Sequence, residues 1–547
     1  MLAWVAVTVL AALLRLVDLG GRPLAVAEGV RSLDVALVSR SHAPEGWAGD
    51  LTAAVTSLVF RIFGEGEVEA RLVPALAGVA LIPALWWWRP CVGRVSALAA
   101  AVLVGFSPLL VLQSRSALPH SAGALLAVVM SAALFAYLRG PRPGPLFVLA
   151  LSATLALLSD AVGVTAVVAM AGFLAVEAGG LGSDDVARAW ATFRSSPLQM
   201  ASVAIVALAG LELGLTHFGT SLDKGGLAGL RSWSQMFEIP RDSRQPEYHL
   251  ALLLAYDWPI LVAGIAGLAV LAARMRRGPV TLSSGQRFLL VWTAVAALTL
   301  ALATRREAGQ LLLLLVPLAL MGGIFLQEAA HWLDWPTLRR WWPWAASSLL
   351  LVAYAAMAMT RWSAGNAGPA DRFAMVVAIG VSVLLAAVPL AHSGRRAIAI
   401  PLLVFAISAG VFTAHSATAV AWAGGLEPAV DMEVVPRTSY LRDTLVRLRD
   451  ERGGRVVVES QLRESLGWTL RDTGVTFGGP FQGASVLVAP AEEVPEGFAP
   501  LGGMWRVAEG WYPQALLRPR GLWRWLLFRE PYGDGRRVEV RIYVPAE

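Results

Sequence analysis

The sequence predicts a mainly α-helical, polytopic membrane protein that ends in a soluble α/β domain. Three observations lead to this fold class. The chain of 547 residues is 56% hydrophobic and only 15% charged, whereas soluble domains are nearer a quarter charged. Apolar runs long enough to cross a hydrocarbon core of about 30 Å recur along most of its length. Near residue 430 the composition changes, and charged or alternating segments replace the apolar runs.

About thirteen apolar segments qualify as candidate transmembrane helices by their length and apolarity. They cover residues 2–17, 70–88, 95–113, 121–138, 145–159, 162–178, 198–216, 256–273, 287–303, 310–327, 343–360, 372–391 and 398–416. The two segments around "LLSDAVGV" are the weakest, because only a very short break at Asp160 separates them. The first segment lacks a basic start and a clear cleavage site, so we interpret it as a retained span.

Arginine pairs in the loops between these spans predict how the chain is oriented. They fall in the even-numbered gaps, for example Arg89 with Arg94 and Arg139 with Arg142. Short basic loops stay in the cytoplasm, so the N-terminus is expected inside and the odd-numbered gaps outside. The expected localisation is a prokaryotic plasma membrane, with the tail outside because the number of spans is odd.

The tail predicts a separate domain, which divides the chain into residues 1–429 and residues 430–547. "TSYLRDTLVRLRDERGG" has the pattern of an amphipathic helix with Ser439 near its N-cap and Gly453 at its end. The segments "RVVVES", "ASVLVAP" and "RRVEVRIYV" have the composition of strands. A soluble α/β domain outside the membrane is therefore expected.

Composition also argues against several classes of function. The single cysteine, Cys91, excludes an intrachain disulfide and a thiolate metal cluster. No basic low-complexity tail or nucleic-acid motif is present, so no nucleic-acid partner is expected. A transporter should carry ionisable residues inside its spans and often shows internal repeats, whereas here most charges lie at span ends. No metal site is predicted, and a need for a divalent cation stays open.

The residues that could carry chemistry collect in the predicted outer gaps and at the adjacent span ends. A guanidinium holds a phosphate with two parallel hydrogen bonds, and a carboxylate can remove a proton from an acceptor hydroxyl. The acids proposed as catalytic are Glu28 and Asp34, and the residues proposed to hold a lipid phosphate are Arg71, Arg115, His120, Arg305 and Arg306. Each could instead serve the structure alone, as a loop acid, a helix cap or an interfacial arginine.

Two segments near the start of the chain are "FGEGEVEARLVPALAGVALIPALWW" at 63–87 and "GRVSALAAAVLVGFSPLLVLQSRSALPHS" at 93–121. In order and spacing they resemble the GT-C membrane glycosyltransferases, the group that includes protein mannosyltransferases and the aminoarabinose lipid A transferase. Segments 244–267 and 304–323 are similar to later blocks of the same fold. The tail, with "LGWTLRD" and "GWYPQALLRPRGLWRWLLFRE", most resembles a bacterial and archaeal branch called flippase activity-associated proteins.

The resemblance implies a polyprenyl-phosphate sugar donor, a lipid-bilayer setting and catalysis on the outer face. It also implies an Asp-Glu pair just after the first span, which corresponds here to Ala27 and Glu28. A second acid is implied five residues after the arginine matching Arg115, and His120 stands there. Two functions therefore stay open: a glycosyltransferase that acts on an unidentified glycan, lipid or protein acceptor, and a non-catalytic relative that binds lipid-linked sugar and assists a flippase or a partner transferase.

Overall fold

The structure is a computed structural model, and it is helical except for one sheet in the tail. It describes residues 1–40, 49–181, 184–216, 227–239, 244–276, 282–332, 335–366, 368–393, 398–423, 425–479, 481, 483–492, 494–512 and 519–546. The membrane part contains helices α1 Leu2–Leu16, α2 Val26–Ser39, α3 Leu51–Phe63, α4 Glu67–Ala84, α5 Arg89–Val92, α6 Arg94–Phe106, α7 Pro108–Ser114, α8 His120–Arg139, α9 Pro143–Leu157, α10 Ala161–Val176, α11 Asp184–Ser195, α12 Pro197–Leu215, α13 Ala228–Gln235, α14 Tyr248–Tyr256, α15 Trp258–Met275, α16 Ser284–Leu302, α17 Leu312–His331, α18 Trp335–Ser363, α19 Pro369–Ser393 and α20 Ala399–Thr418.

The prediction of a polytopic helical membrane protein is confirmed, and a helix lies at every predicted span. Among the described residues, ten helical segments are long and apolar enough to cross a membrane, or eleven if α6 and α7 form one bent span. Two predicted spans correspond to α1 and α9, which have 15 residues each. At 1.5 Å per residue each is about 22 Å long, shorter than a hydrocarbon core of about 30 Å.

Helix α17 lies at the centre of the membrane part and packs against α6, α15 and α16. Glycines allow the close contacts: a Cβ atom on Gly267 of α15 would overlap the Met321 carbonyl, and one on Gly323 would overlap the Ser96 carbonyl. Small residues at such crossings let helix backbones approach in a membrane, where packing rather than the hydrophobic effect holds helices together.

Two buried polar side chains, one on each side, stabilise the break between α6 and α7, where the chain bends by 62°. Pro108 has no N–H and leaves the last carbonyls of α6 without helical partners. The fully buried Arg15 of α1 donates to the Gly105 carbonyl at 2.7 Å and to the Val104 carbonyl at 3.2 Å. On the other side of the bend, the Leu109 N–H donates to Asp257 at 3.2 Å.

Arg15→Met is expected to lower the free energy of unfolding by about 1–3 kcal/mol, because two buried carbonyls lose their donor. Thermal unfolding in detergent micelles would measure the effect. Arg94→Met is the control, since the Arg94 side chain is exposed and its loss leaves no buried group unpaired. Equal unfolding midpoints for the two variants would contradict this role of Arg15.

The tail contains one six-stranded sheet with the order β1-β5-β6-β4-β2-β3. Its elements are β1 Glu433–Val434, α21 Thr438–Arg452, β2 Arg455–Val458, α22 Arg463–Leu470, β3 Thr476–Phe477, β4 Ala484–Pro490, β5 Phe498–Gly510, α23 Pro519–Phe528 and β6 Arg536–Pro545. Strand β2 runs parallel to β3 and β4, and the other pairs are antiparallel. The predicted tail helix ends at Gly453 in a left-handed conformation as expected, but it begins at Thr438, so Ser439 lies inside its first turn.

The tail is held against the membrane part by ion pairs and ring contacts. Helix α22 packs on α2, and Arg40 forms salt bridges to Glu65 and to Asp472 of the tail. On the opposite side Arg529 pairs with the buried Glu427, which also accepts a hydrogen bond from the hydroxyl of Tyr256. Through these contacts the tail covers the loops that follow α1, α7 and α16.

Candidate active site

A cavity of about 1100 Å³ opens between the tail and these loops. It is lined by the start of α2, the turn between α7 and α8, the segment before α17 and the linker after α20. Six of the seven residues predicted for the site line it: Glu28, Asp34, Arg71, Arg115, His120 and Arg305. Arg306 does not line this cavity, because its guanidinium points away and donates to the Arg244 carbonyl at 2.6 Å.

Glu28 forms a buried ion pair with Arg71, and every part of its carboxylate is engaged. Arg71 donates to it at 2.8 and 3.3 Å. The Ala117 N–H donates at 2.6 Å and the Ala25 N–H at 2.8 Å. The last of these bonds belongs to the start of α2, where a glutamate three residues into a helix reaches back to its cap. The carboxylate thus ties together α2, α4 and the α7–α8 turn.

Arg115 caps the end of α1 and adds positive charge to the cavity. Its guanidinium donates to the carbonyls of Leu14, Val17 and Asp18 at 2.7–3.1 Å, the groups that a helix C-terminus leaves unpaired. Burial, together with the neighbouring cations Arg22 and Arg71, lowers the pKa of Arg115 to about 10. The group remains charged at neutral pH, and three guanidinium groups therefore converge on this side of the cavity.

Arg22 is the member of this cluster that our sequence-based site did not include. It lines the cavity, and its Nη2 atom is buried without a hydrogen-bond partner among the described residues. The Oε1 atom of Gln113, which lines the same cavity, is also buried and unpartnered there. A buried donor without a partner costs about 1–3 kcal/mol, and a ligand anion would satisfy it. The signal was visible in "GGRPLAVAEG", where Arg22 precedes Glu28 in the first outer gap.

Two further acids line the cavity, one on α2 and one on the tail. Burial raises the pKa of Asp34 on α2, although Arg463 and Arg31 act in the opposite direction. Burial raises the pKa of Glu433 on β1 to about 7, partly offset by Arg22. Glu433 comes from the tail, and no pattern in the sequence placed it near the first outer gap.

His120 stands where the large cavity meets a second one of about 320 Å³. Its Nδ1 lies 2.9 Å from the carboxylate of Asp160, and both residues are buried. Asp160 also accepts the Gly163 N–H at 3.2 Å and so caps α10. The smaller cavity is rich in hydrogen-bonding groups, with Ser159, Arg231, Ser232, Glu307 and Gln310 among the residues that line it.

Two cations at the junction, Arg31 and Arg305, are paired within the protein. Arg31 donates to Asp50 at 2.5 and 2.7 Å, and Arg305 donates to Glu307 at 2.9 Å. Within the described residues, no group of three or more His, Cys, Asp or Glu side chains is arranged to hold a metal ion. The described cavity residues can bind an anion and transfer a proton.

Comparison with known proteins supports the fold. Residues 50–192, less than half of the chain, match the family model described as dolichyl-phosphate-mannose-protein mannosyltransferase. No curated protein matches the chain. The structure is similar to ArnT from Cupriavidus metallidurans bound to undecaprenyl phosphate, with a TM-score of 0.56 and 15% identity over 89% of this chain and 93% of that one.

It is also similar to the archaeal oligosaccharyltransferase AglB from Archaeoglobus fulgidus, solved with an inhibitory peptide and a dolichol-phosphate. Here the TM-score is 0.50 and the identity 13%, over 90% of this chain and 69% of that chain. The GT-C fold expected from the sequence is confirmed. The flippase activity-associated branch, the domain boundary at residue 430 and the roles of individual residues stay predictions.

Proposed function

We propose that this chain is a membrane glycosyltransferase that moves a sugar from a polyprenyl-phosphate donor to an acceptor outside the membrane. The observation that carries the proposal is the buried, unpartnered Nη2 atom of Arg22, beside Arg71 and Arg115, in a cavity large enough for a phosphate and a sugar. The fold is shared with ArnT, whose structure contains undecaprenyl phosphate. Fixed cations at this position would stabilise the negative charge that develops on the leaving phosphate.

In this proposal six of the seven predicted residues divide into separate roles. Arg115 provides charge for the lipid phosphate. Arg71 donates to Glu28 and to the carbonyls of Leu19, Arg22 and Pro23, and so holds the segment that carries Arg22. Arg305 carries charge at the entrance to the smaller cavity, and Arg306 supports the loop next to it. Asp34 lines the cavity, and burial raises its pKa, which makes its carboxylate a better proton acceptor. Glu28 is a poor proton acceptor here, since both of its oxygens already accept hydrogen bonds.

The proposed activity can be tested with purified protein in liposomes. Undecaprenyl-phosphate mannose, glucose and arabinose would serve as donors, octyl glycosides as acceptors, and released undecaprenyl phosphate as the readout. Release that requires the protein and depends on the acceptor supports the proposal. Binding of undecaprenyl phosphate without release from any donor would overturn it.

A non-catalytic, lipid-sugar-binding relative is the second candidate, and one observation favours it. Ala27 stands where the resemblance implies an aspartate, and it is exposed on α2 with no group able to transfer a proton. Such a protein would hold the donor through the same arginine cluster and present it to a flippase or a transferase. Binding with no turnover, in the experiment above, is the result expected for this function.

We also propose that the N-terminus is cytoplasmic and that the tail and both cavities are outside, because the even-numbered loops are basic. A reporter that is active only in the cytoplasm, fused after Glu547, should be silent. An alkaline-phosphatase fusion at the same place, which is active only outside, should give signal and serves as the control. The reverse pattern would put the site on the cytoplasmic face.

A further inference from the structure

We propose that His120, oriented by Asp160, is the general base that activates the acceptor hydroxyl, and that this hydroxyl reaches it from the smaller cavity. The inference rests on the proposed glycosyl transfer and names the proton acceptor and the acceptor subsite within it. His120 has a buried imidazole whose two nitrogens have different surroundings.

The Nδ1 atom of His120 is fixed. It lies 2.9 Å from Oδ2 of Asp160, and Asp160 accepts two other hydrogen bonds through Oδ1, from Gly163 N–H and from the Ser159 hydroxyl. We assign the ring proton to Nδ1, which then donates to this carboxylate. The lone pair is then on Nε2, which is the tautomer a general base needs.

The Nε2 atom is available to a ligand. No hydrogen bond to it is present among the described residues, and His120 lines both cavities. Gly309 packs against the ring on one side, where a Cβ atom would overlap Cδ2 and Nε2. The absence of a side chain at position 309 therefore leaves room for the imidazole at the junction.

The two cavities adjoin at this edge and differ in what they can bind. They share the residues Arg31, Leu118, His120, Gln235, Arg305 and Glu307. The guanidinium cluster of Arg22, Arg71 and Arg115 lies only in the large cavity, which suits the donor phosphate. The smaller cavity combines hydroxyl, amide, carboxylate and guanidinium groups with a few apolar side chains, a lining that suits a polyhydroxylated acceptor such as a sugar.

In the proposed step, Nε2 of His120 takes the proton of the acceptor hydroxyl, and the acceptor oxygen bonds to the anomeric carbon of the donor sugar. The bond from that carbon to the phosphate oxygen breaks, and its electron pair leaves with the polyprenyl phosphate. The charged groups that surround the imidazole are Asp160, Arg31, Arg305 and Glu307, and the imidazolium formed is stabilised by Asp160. The proton then passes to water in the open cavity.

The first test compares wild type with His120→Gln in the liposome assay, using undecaprenyl-phosphate mannose and octyl mannoside. Loss of a general base typically costs about 10²–10⁴ in rate, so kcat should fall by that factor while the affinity for undecaprenyl phosphate stays the same. In the pH–rate profile, wild-type kcat should fall at acid pH as the imidazole becomes protonated, and this decrease should be absent in His120→Gln. The matched control is His331→Gln, which replaces an exposed histidine on α17. It should keep the wild-type kcat and the decrease at acid pH.

The second test addresses the acceptor subsite. Ala228 lines the smaller cavity only, so Ala228→Trp should raise KM for octyl mannoside at least tenfold and leave undecaprenyl phosphate binding unchanged. An unchanged KM would overturn the assignment of this cavity. Full transfer by His120→Gln would overturn the base, and the role would pass to Asp34 if Asp34→Asn were inactive. A wild type that binds the lipid but transfers nothing from any donor would overturn the proposed function itself.

Discussion

Glu28→Gln is expected to lower the free energy of unfolding by about 3–5 kcal/mol, the range typical for removing one partner of a buried ion pair. The side chains of Glu28 and Arg71 are only 6% and 7% exposed. The amide would offer one acceptor oxygen in place of two and leave the Arg71 charge without compensation. Thermal and denaturant unfolding in detergent would measure the loss.

The same variant separates two roles of Glu28. If Glu28 holds the site together, Glu28→Gln should also weaken undecaprenyl phosphate binding, since Arg71 and the Ala117 turn would shift. If Glu28 were the general base, the protein should stay as stable as wild type and bind lipid normally, while transfer falls by about 10²–10⁴. Asp34→Asn is the matched control for stability, because Asp34 lies on the same helix without a buried ion pair. A stable, lipid-binding, inactive Glu28→Gln would contradict the structural role.

A double variant gives a second check of the same argument. Glu28→Leu with Arg71→Met removes both charges, and apolar replacement of a buried pair is often neutral or stabilising. We expect the double variant to unfold at a higher temperature than Glu28→Gln and still to bind lipid phosphate poorly. This result would show that the pair serves ligand binding in the cavity more than the stability of the fold.

The fold was predictable because hydropathy and span length depend on local sequence. Each predicted span contains a helix, and strands β2, β4 and β6 were identified by their apolar or alternating residues. Strand β5 was missed because "FAPLGGMWRVAEG" contains a proline and three glycines, which disfavour strand prediction. The bend at Ser107–Pro108 was missed because both halves are apolar and together have the length of one span.

The candidate site was only partly predictable, because the partners of its residues come from distant parts of the chain. Glu28, Arg71 and Arg115 were found from their positions after or beside spans, but their partners were not. The partners of Arg115 are backbone carbonyls of α1, about a hundred residues away along the chain. In the sequence Asp160 marked only a short break between two apolar segments. In the structure it caps α10, and its contact with His120 depends on the packing of α8 on α10. Glu433 reaches the cavity only because the tail folds back over it.

Arg22→Gln is expected to weaken undecaprenyl phosphate binding by about 10- to 150-fold. A hydrogen bond to a charged group contributes about 1.5–3 kcal/mol, and each 1.4 kcal/mol is a factor of ten in affinity. Among the cavity arginines of the described chain, Arg22 is the one whose buried Nη2 lacks a partner, so its loss leaves no protein group unpaired. The folded structure should therefore be kept, with an unfolding midpoint within about 1–2 °C of wild type.

Two amide variants make the result specific to charge at this position. Arg442→Gln removes an exposed arginine of α21 that does not line the cavity, and it should bind lipid like wild type. Glu433→Gln removes a negative charge beside Arg22. Because burial raises the pKa of Glu433 to about 7, the group is largely ionised at pH 8 and largely neutral at pH 6. Its carboxylate therefore opposes phosphate binding at pH 8, and Glu433→Gln should bind more tightly than wild type there but not at pH 6.

Equal affinities for wild type and Arg22→Gln, measured by native mass spectrometry or calorimetry with undecaprenyl phosphate, would remove Arg22 from the site and with it the main support for a phosphate in this cavity.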